Sequence, residues 1–227
     1  MCVIFWDFDG TLVHSDHLWS GSMYEALTTV DPYTTMTFEQ VRICNREGFT
    51  WQTPDNDYHQ LTGDAWWDFM HAHFVRSYTR FGISNEMAHQ AANLVHGILK
   101  RYDNYHLFPD ALDTLRTCKE HGATNVLLSN NYPDLEDVLV HLGLRKHLDG
   151  VILSALEGYD KPRKELFDIA KSRYPASRYV MVGDSESADV VGGKRASMCT
   201  ILVHTSTPSP LADFNLATLS EIPSLLF

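Results

Sequence analysis

Five short apolar runs limit what this chain can fold into: VIFW at residues 3–6, TNVLLS at 124–129, GVILS at 150–154, RYVMVGD at 178–184 and CTILVH at 199–204. A segment of helical period precedes each of the last four: DALDTLRTCKEHG (110–122), PDLEDVLVHLGL (133–144), RKELFDIAKSRY (163–174) and SADVVGGKRAS (187–197). Gly122 closes the first of these helices, and Pro133 suits the first turn of the second. Apolar runs of this length, alternating with helices, indicate parallel strands buried on both faces. The chain therefore reads as α/β, a doubly wound Rossmann-like parallel sheet to which the run at 3–6 also belongs.

Between the first run and the rest, the pattern changes. From about His14 to Tyr105 aromatic and histidine residues are dense, and apolar residues recur at helical spacing in Trp66, Phe69, Met70 and Phe74 and again in Ala88, Ala91, Leu94, Val95 and Ile98. TFEQVRICNREG (37–48) predicts a helix with Thr37 as N-cap and Gly48 just past its end, and QTPDNDYHQLTGD (52–64) predicts a polar loop. No strand is expected there. The organisation that follows is a core of residues 1–13 and 106–227 with an all-helical insertion at 14–105.

Composition excludes some classes. Eighteen Lys and Arg against 29 Asp and Glu leave a net charge of −11, which argues against nucleic-acid and membrane-surface partners. A small anionic substrate stays possible, because a bound divalent cation reverses the local potential. Cys2, Cys44, Cys118 and Cys199 show no metal-ligand spacing and read as reduced core thiols. No apolar run reaches a membrane span of about 20 residues, and no signal peptide is evident, so a cytoplasmic location is the default expectation. Oligomeric state cannot be read from this sequence.

Open parallel sheets bind ligands beyond the carboxyl ends of their strands. There the first run delivers Asp7 and Asp9. The second delivers Ser129, Asn130 and Asn131. The third leads into Asp160-Lys161-Pro162, and the fourth delivers Asp184 with Asp189 five positions on. Carboxylates gathered at strand ends repel one another unless a cation compensates them. Several carboxylates, a hydroxyl, a lysine and amides make the inventory for phosphoryl chemistry on Mg²⁺, a hard cation that takes oxygen ligands. A lone Asp at a strand end is usually a turn or cap residue; the ordered set is what carries the signal.

DFDGT (7–11), LLSNN (127–131), DKPRKELF (160–167) and GDSESAD (183–189), in that order, resemble the four signature motifs of the haloacid dehalogenase-like (HAD) hydrolase superfamily. The resemblance covers nearly the whole chain, and the helical insertion looks like that superfamily's type-one cap. Its nearest aspect is the phosphoglycolate-phosphatase-like and HDHD3-like branch. The resemblance implies Mg²⁺-dependent hydrolysis of a small phosphorylated metabolite through an aspartyl-phosphate. In that scheme Asp7 is the nucleophile, Asp9 the general acid and then base, and Ser129 and Lys161 bind the phosphoryl group and balance its charge. Asp7, the Asp9 carbonyl and Asp184 hold the metal, with Asp189 binding through water or orienting the site. Thr11 and Asn130 are candidate substrate contacts.

A phosphomutase keeps the same motifs and stays open as an alternative, as do a haloacid dehalogenase of the same superfamily and a catalytically silent binding protein on this fold. A haloacid dehalogenase usually lacks the second aspartate, and a phosphonatase would need a cap lysine where none lies between Val13 and Leu99. Arg42, Arg46, Arg76, Arg80 and Arg101 lie in the helical segment; one or two are expected to face the site and hold a second anionic group, an idea refuted if all five point away. His71 and His73 fall on different sides of one helix and read as surface or core-edge residues, not metal ligands. Trp66 and Trp67 read as core of the helical segment, and His14 and His17 as hinge packing.

Overall fold

The computed structural model describes residues 1–227. The chain opens with β1 (Cys2–Trp6) and the short β2 (Val13–His14). Four helices follow: α1 (Leu18–Val30), α2 (Phe38–Cys44), α3 (Asp64–Thr79) and α4 (Asn85–Leu99). The chain then returns through β3 (His106–Leu107) and continues as α5 (Ala111–Glu120), β4 (Ala123–Ser129), α6 (Glu136–His141), β5 (Gly150–Leu153), α7 (Ser154–Glu157) and α8 (Lys164–Arg173). It ends with β6 (Arg178–Gly183), α9 (Val191–Arg195), β7 (Cys199–Val203), β8 (Phe214–Leu216) and α10 (Ile222–Leu226). No helix is long and apolar enough to cross a membrane.

Six strands form one sheet in the order β5-β4-β1-β6-β7-β8, and every neighbouring pair is parallel. From β1 the chain winds outward through β4 and β5, then crosses to the other side of β1 for β6, β7 and β8. Reversal of that kind opens a crevice at the carboxyl ends of the central strands. Register brings those ends level: Trp6 of β1 lies beside Leu127 of β4 and Val182 of β6. The residues just past these three strands are therefore neighbours.

Alternation along β1 shows why both faces are covered. Ile4 and Trp6 enter one apolar cluster, with Leu115 of α5 and Ile222 of α10; Val3 and Phe5 enter the other, with Leu166 and Phe167 of α8. Successive side chains of a strand point to opposite faces, so a continuous apolar run needs helices on both. The first cluster continues without a break into the helical segment, through Met23, Trp66, Phe74 and Val95. That segment leaves and re-enters the core at one place, where β2 and β3 pair antiparallel (Val13 with Leu107, His14 with His106).

Some boundaries differ from the sequence expectation. Helix α2 has the Thr37 capping box but stops at Cys44, because Gln52 holds the following loop: its Oε1 accepts from the Phe49 amide at 3.0 Å, and its Nε2 donates to the Asn45 carbonyl at 3.0 Å. Pro133 precedes α6 in a turn, and the helix begins at Glu136. The stretch 187–197 is not one helix: a π-helical turn at Glu186–Val190 comes first, with both the Asp189 and Val190 amides donating to the Ser185 carbonyl. Such wide turns recur at functional sites, since they re-aim one side chain. The edge strand β8 was not expected at all.

His73 of α3 is 5% exposed, lies against Phe49 (ring centroids 5.5 Å apart), and its Nε2 has no hydrogen-bond partner. Burial, aided by the nearby Arg76 cation, lowers its pKa from 6.5 to about 4. The unfolded chain takes up that proton first. Stability is therefore full above pH 6.5 and is lost as the pH falls toward 4, by about 2–3 kcal/mol. Urea unfolding at neutral pH and at about pH 4.5 should show this loss, and His73→Leu should reduce it by that amount. An unchanged pH dependence in the variant would show that His73 is not its source.

Candidate active site

Strand β1 ends at Trp6, and the Asp7 amide still bonds in ladder fashion to the Val182 carbonyl at 2.9 Å. The chain then turns sharply: the amides of Thr11, Leu12 and Val13 all donate to the Phe8 carbonyl, at 3.3, 2.9 and 3.1 Å. Gly10 makes the turn possible. Its φ is +78°, and a Cβ there would collide with the Asp184 carboxylate. The Phe8 carbonyl thus gathers the residues after Asp7 into a turn.

This turn separates the two aspartates. Asp7, with its side chain 13% exposed, lies 2.8 Å from the Lys161 ammonium. Lys161 is 1% exposed and is also 2.6 Å from Asp189. Burial opposes charge on Lys161, but Asp189 and Asp7 outweigh it and hold its pKa above the lysine norm. Asp189 owes its position to the π turn; its second oxygen accepts from the Ser185 amide at 3.0 Å. Asp9 has a different hydrogen-bond partner. One of its oxygens accepts from Asn131 Nδ2 at 2.9 Å, and the other is buried with no partner. Burial and then the Asp7 charge raise Asp9 to about 7, against the opposing Asn131 hydrogen bond. Asp184 is raised to about 6, by desolvation and then by Asp7.

Asp7, Asp184 and Asp189 each offer a carboxylate oxygen, and these atoms all lie within 4.8 Å of one another. Three carboxylates against one ammonium leave a surplus of negative charge. All the donors are hard oxygens. That combination fits a divalent cation such as Mg²⁺. Both Asp189 oxygens are already engaged, so Asp7 and Asp184 are the freer pair.

Ser129 ends β4 and is 1% exposed. The Asn130 side chain is occupied by the backbone of Lys161: its Oδ1 accepts from the amide at 2.7 Å, and its Nδ2 donates to the carbonyl at 3.0 Å. Asn130 therefore positions the lysine as well as lining the cleft. Thr11 is fully buried, and its hydroxyl donates to Asp184 at 3.4 Å, so it faces the carboxylate cluster and not open space. The residue that sequence reasoning left without a role is Asn131, the donor to Asp9. Its signal was present as the second amide of LLSNN, but nothing local distinguishes the two asparagines.

A cleft of about 410 Å³ opens beside Asp9, Asn130 and Asn131, and on its other side lie His17, Trp19, Asn45, Phe49 and Trp51 of the helical segment. None of the five arginines lines it. Arg42 pairs with Glu39 at 2.8 Å and Arg46 with Glu39 at 3.9 Å, while Arg101 pairs with Glu25 at 2.5 Å. Arg76 and Arg80 border a separate depression beside His73. The expected arginine clamp is absent, because these side chains sit on outward helix faces near acidic neighbours. His14 does pack at the hinge, against His106 and Phe108, whereas His17 lines the cleft. Trp66 is buried; Trp67 donates to Asp134 at 3.0 Å, a carboxylate that also receives His96 and Lys100 and so ties α3 and α4 to the turn before α6.

A family model described as haloacid dehalogenase-like hydrolase matches residues 1–197. Haloacid dehalogenase-like hydrolase domain-containing protein 3 of Bos taurus is 30% identical over 159 residues, 67% of this chain and 60% of that protein. Phosphoserine phosphatase of Thermus thermophilus is 29% identical over 140 residues, 59% of this chain and 56% of its own length. The match thus spans less than two thirds of either relative. Among solved structures, the HAD-hydrolase YfnB of Bacillus subtilis, bound to magnesium, has a TM-score of 0.71 at 18% identity, covering 99% of this chain and 97% of that one. At that identity the likeness is one of fold.

Proposed function

We infer, from the premise that this chain belongs to the haloacid dehalogenase-like hydrolase family, that it is a Mg²⁺-dependent phosphatase acting on a small phosphate monoester. The observation that carries the reading is the contrast between two aspartates: Asp7 pairs with the Lys161 cation at 2.8 Å, while Asp9 accepts its hydrogen bond from the neutral Asn131 amide and is raised to about 7 by burial and then by the Asp7 charge. Two carboxyl groups in such different surroundings can divide the work of nucleophile and acid at neutral pH.

In this reading an Asp7 oxygen attacks phosphorus, the bond to the leaving oxygen breaks, and Asp9 gives that oxygen its proton. Asp9, now a carboxylate, takes a proton from water; the water oxygen attacks phosphorus and Asp7 is released. Lys161 and Ser129 stabilise the phosphoryl oxygens. Asp7, Asp184 and the Asp9 carbonyl would hold Mg²⁺, with Asp189 behind them, and the bound ion supplies charge neutralisation at the phosphoryl group. Residues 1–13 and 106–227 serve as the core, and residues 14–105 serve as a helical cap over the leaving group. The magnesium in the Bacillus subtilis structure and the phosphatase relative from Thermus thermophilus support this assignment.

The test is phosphate release from a panel of monoesters, p-nitrophenyl phosphate included. Chelation with EDTA should lower the rate at least about 100-fold, and Mg²⁺ should restore it. A rate indifferent to EDTA, or isomer interconversion of sugar phosphates without phosphate release, would count against a Mg²⁺-dependent phosphatase.

A further inference from the structure

We propose that His204 is a positioning residue for the reaction: by holding the Thr11 carbonyl it fixes the turn that follows the nucleophile, and with that turn the setting of Asp184. The proposal rests on the phosphatase reading above.

His204 is the first residue past β7, on the same sheet edge as Asp7 and Asp184. Its backbone lies in the left-handed region, with φ +57°, an uncommon conformation for a residue that carries a side chain. Strain of this kind persists where the surroundings hold the residue in place, and it gathers at functional sites. Two contacts hold His204. Its ring lies face to face on Phe108, with centroids 3.7 Å apart and 7° between the planes, and its Nε2 is 3.1 Å from the Thr11 carbonyl. A carbonyl oxygen only accepts, so Nε2 carries the proton and donates it.

The gripped element is the turn between Phe8 and Val13. Thr11 is fully buried, so its carbonyl has no ready exchange of this donor for water. The Thr11 amide donates to the Phe8 carbonyl at 3.3 Å, and its hydroxyl donates to Asp184 at 3.4 Å. The next carbonyl, that of Leu12, accepts from the Phe108 amide at 3.1 Å. His204 and Phe108, stacked on each other, thus hold two consecutive carbonyls. The turn they hold carries Asp9, brings Gly10 close to the Asp184 carboxylate and sets Thr11 against it.

His204 stands away from the leaving group. It lines a depression of about 390 Å³ together with Gly10, Asp184, Phe108 and Thr205, and no residue of 14–105 takes part. The cleft beside Asp9 has a different lining, much of it from the helical segment. A change at His204 should therefore act on the turn and on Asp184 and spare the contacts that bind the leaving group.

His204→Phe keeps a flat ring against Phe108 and deletes the Nε2 donor. With p-nitrophenyl phosphate at saturating Mg²⁺, its kcat should fall about 10-fold while KM stays within about 2-fold. Calorimetric titration with Mg²⁺ should show affinity weakened at least about 3-fold. His204→Gln, whose amide nitrogen reaches about as far as Nε2, should recover kcat to within about 3-fold of wild type. If the phenylalanine variant does not fold, His204→Asn carries the same test: asparagine suits the left-handed backbone but is too short to reach Thr11. A role in packing alone would lower the melting midpoint and leave kcat and Mg²⁺ affinity of the folded variants at wild-type values; that result overturns the proposal while the phosphatase reading stands. If the wild-type protein hydrolyses no ester, the phosphatase reading falls and takes this assignment with it.

Discussion

Asp7→Asn should lower phosphate release by at least about 10³-fold while leaving the fold in place. The two side chains have the same shape, but a carboxamide is a poor nucleophile toward phosphorus. Retention of the fold follows from the geometry around Lys161. That buried ammonium keeps Asp189 at 2.6 Å when the Asp7 charge is gone, so no cation is stranded. Removing the charge also relieves Asp9 and Asp184, both of which it raises. The thermal midpoint should therefore move by no more than a few degrees, equivalent to about 1 kcal/mol. Phosphate release and a melting curve on the same preparation read both halves. Undiminished turnover in a folded Asp7→Asn protein would place the nucleophile elsewhere.

Lys161→Met should be the most destabilising change at the site, by about 3–5 kcal/mol in EDTA, or roughly 6–20 °C in the midpoint. Lys161 is 1% exposed and is the ammonium lying between Asp7 at 2.8 Å and Asp189 at 2.6 Å. Methionine fills similar volume, so the loss is electrostatic and not a cavity. With the cation removed, Asp184 and Asp189, already raised by burial, lose the charge that opposed that rise and hold protons still more tightly than in the unfolded chain. The folded variant then binds more protons than the unfolded one, so its stability falls as pH rises. The gap from wild type should be wide at about pH 8, narrower at about pH 5, and partly closed by Mg²⁺. Urea unfolding under those conditions measures it. A gap that does not depend on pH would mean that the lysine's role is packing and not charge.

Much of the architecture follows from local rules. An apolar run such as 3–6 can be satisfied only by burial on both faces, and runs of that kind alternating with helices leave a doubly wound sheet as the outcome. The candidate chemistry was legible for a related reason. In such a sheet the residues just past each strand share one edge, so Asp7, Ser129, Lys161 and Asp184 could be placed together before any distance was known.

The sequence by itself determined the fold class, the order of the strands along the chain and the edge on which the polar residues meet, because burial and helical period act over a few residues. Only the tertiary structure decided how those residues divide. Asn130 and Asn131 are adjacent amides, yet one holds the Lys161 backbone and the other holds Asp9, a difference set by partners 31 and 122 positions away. The arginines of the helical segment lie outside the cleft lining, in acidic pairs or beside a separate depression, because helix phase fixes their directions. Asp189 reaches Lys161 through a π turn that no local pattern announces. Side-chain direction and pairing depend on contacts between distant segments, and those exist only once the sheet has brought the strand ends together.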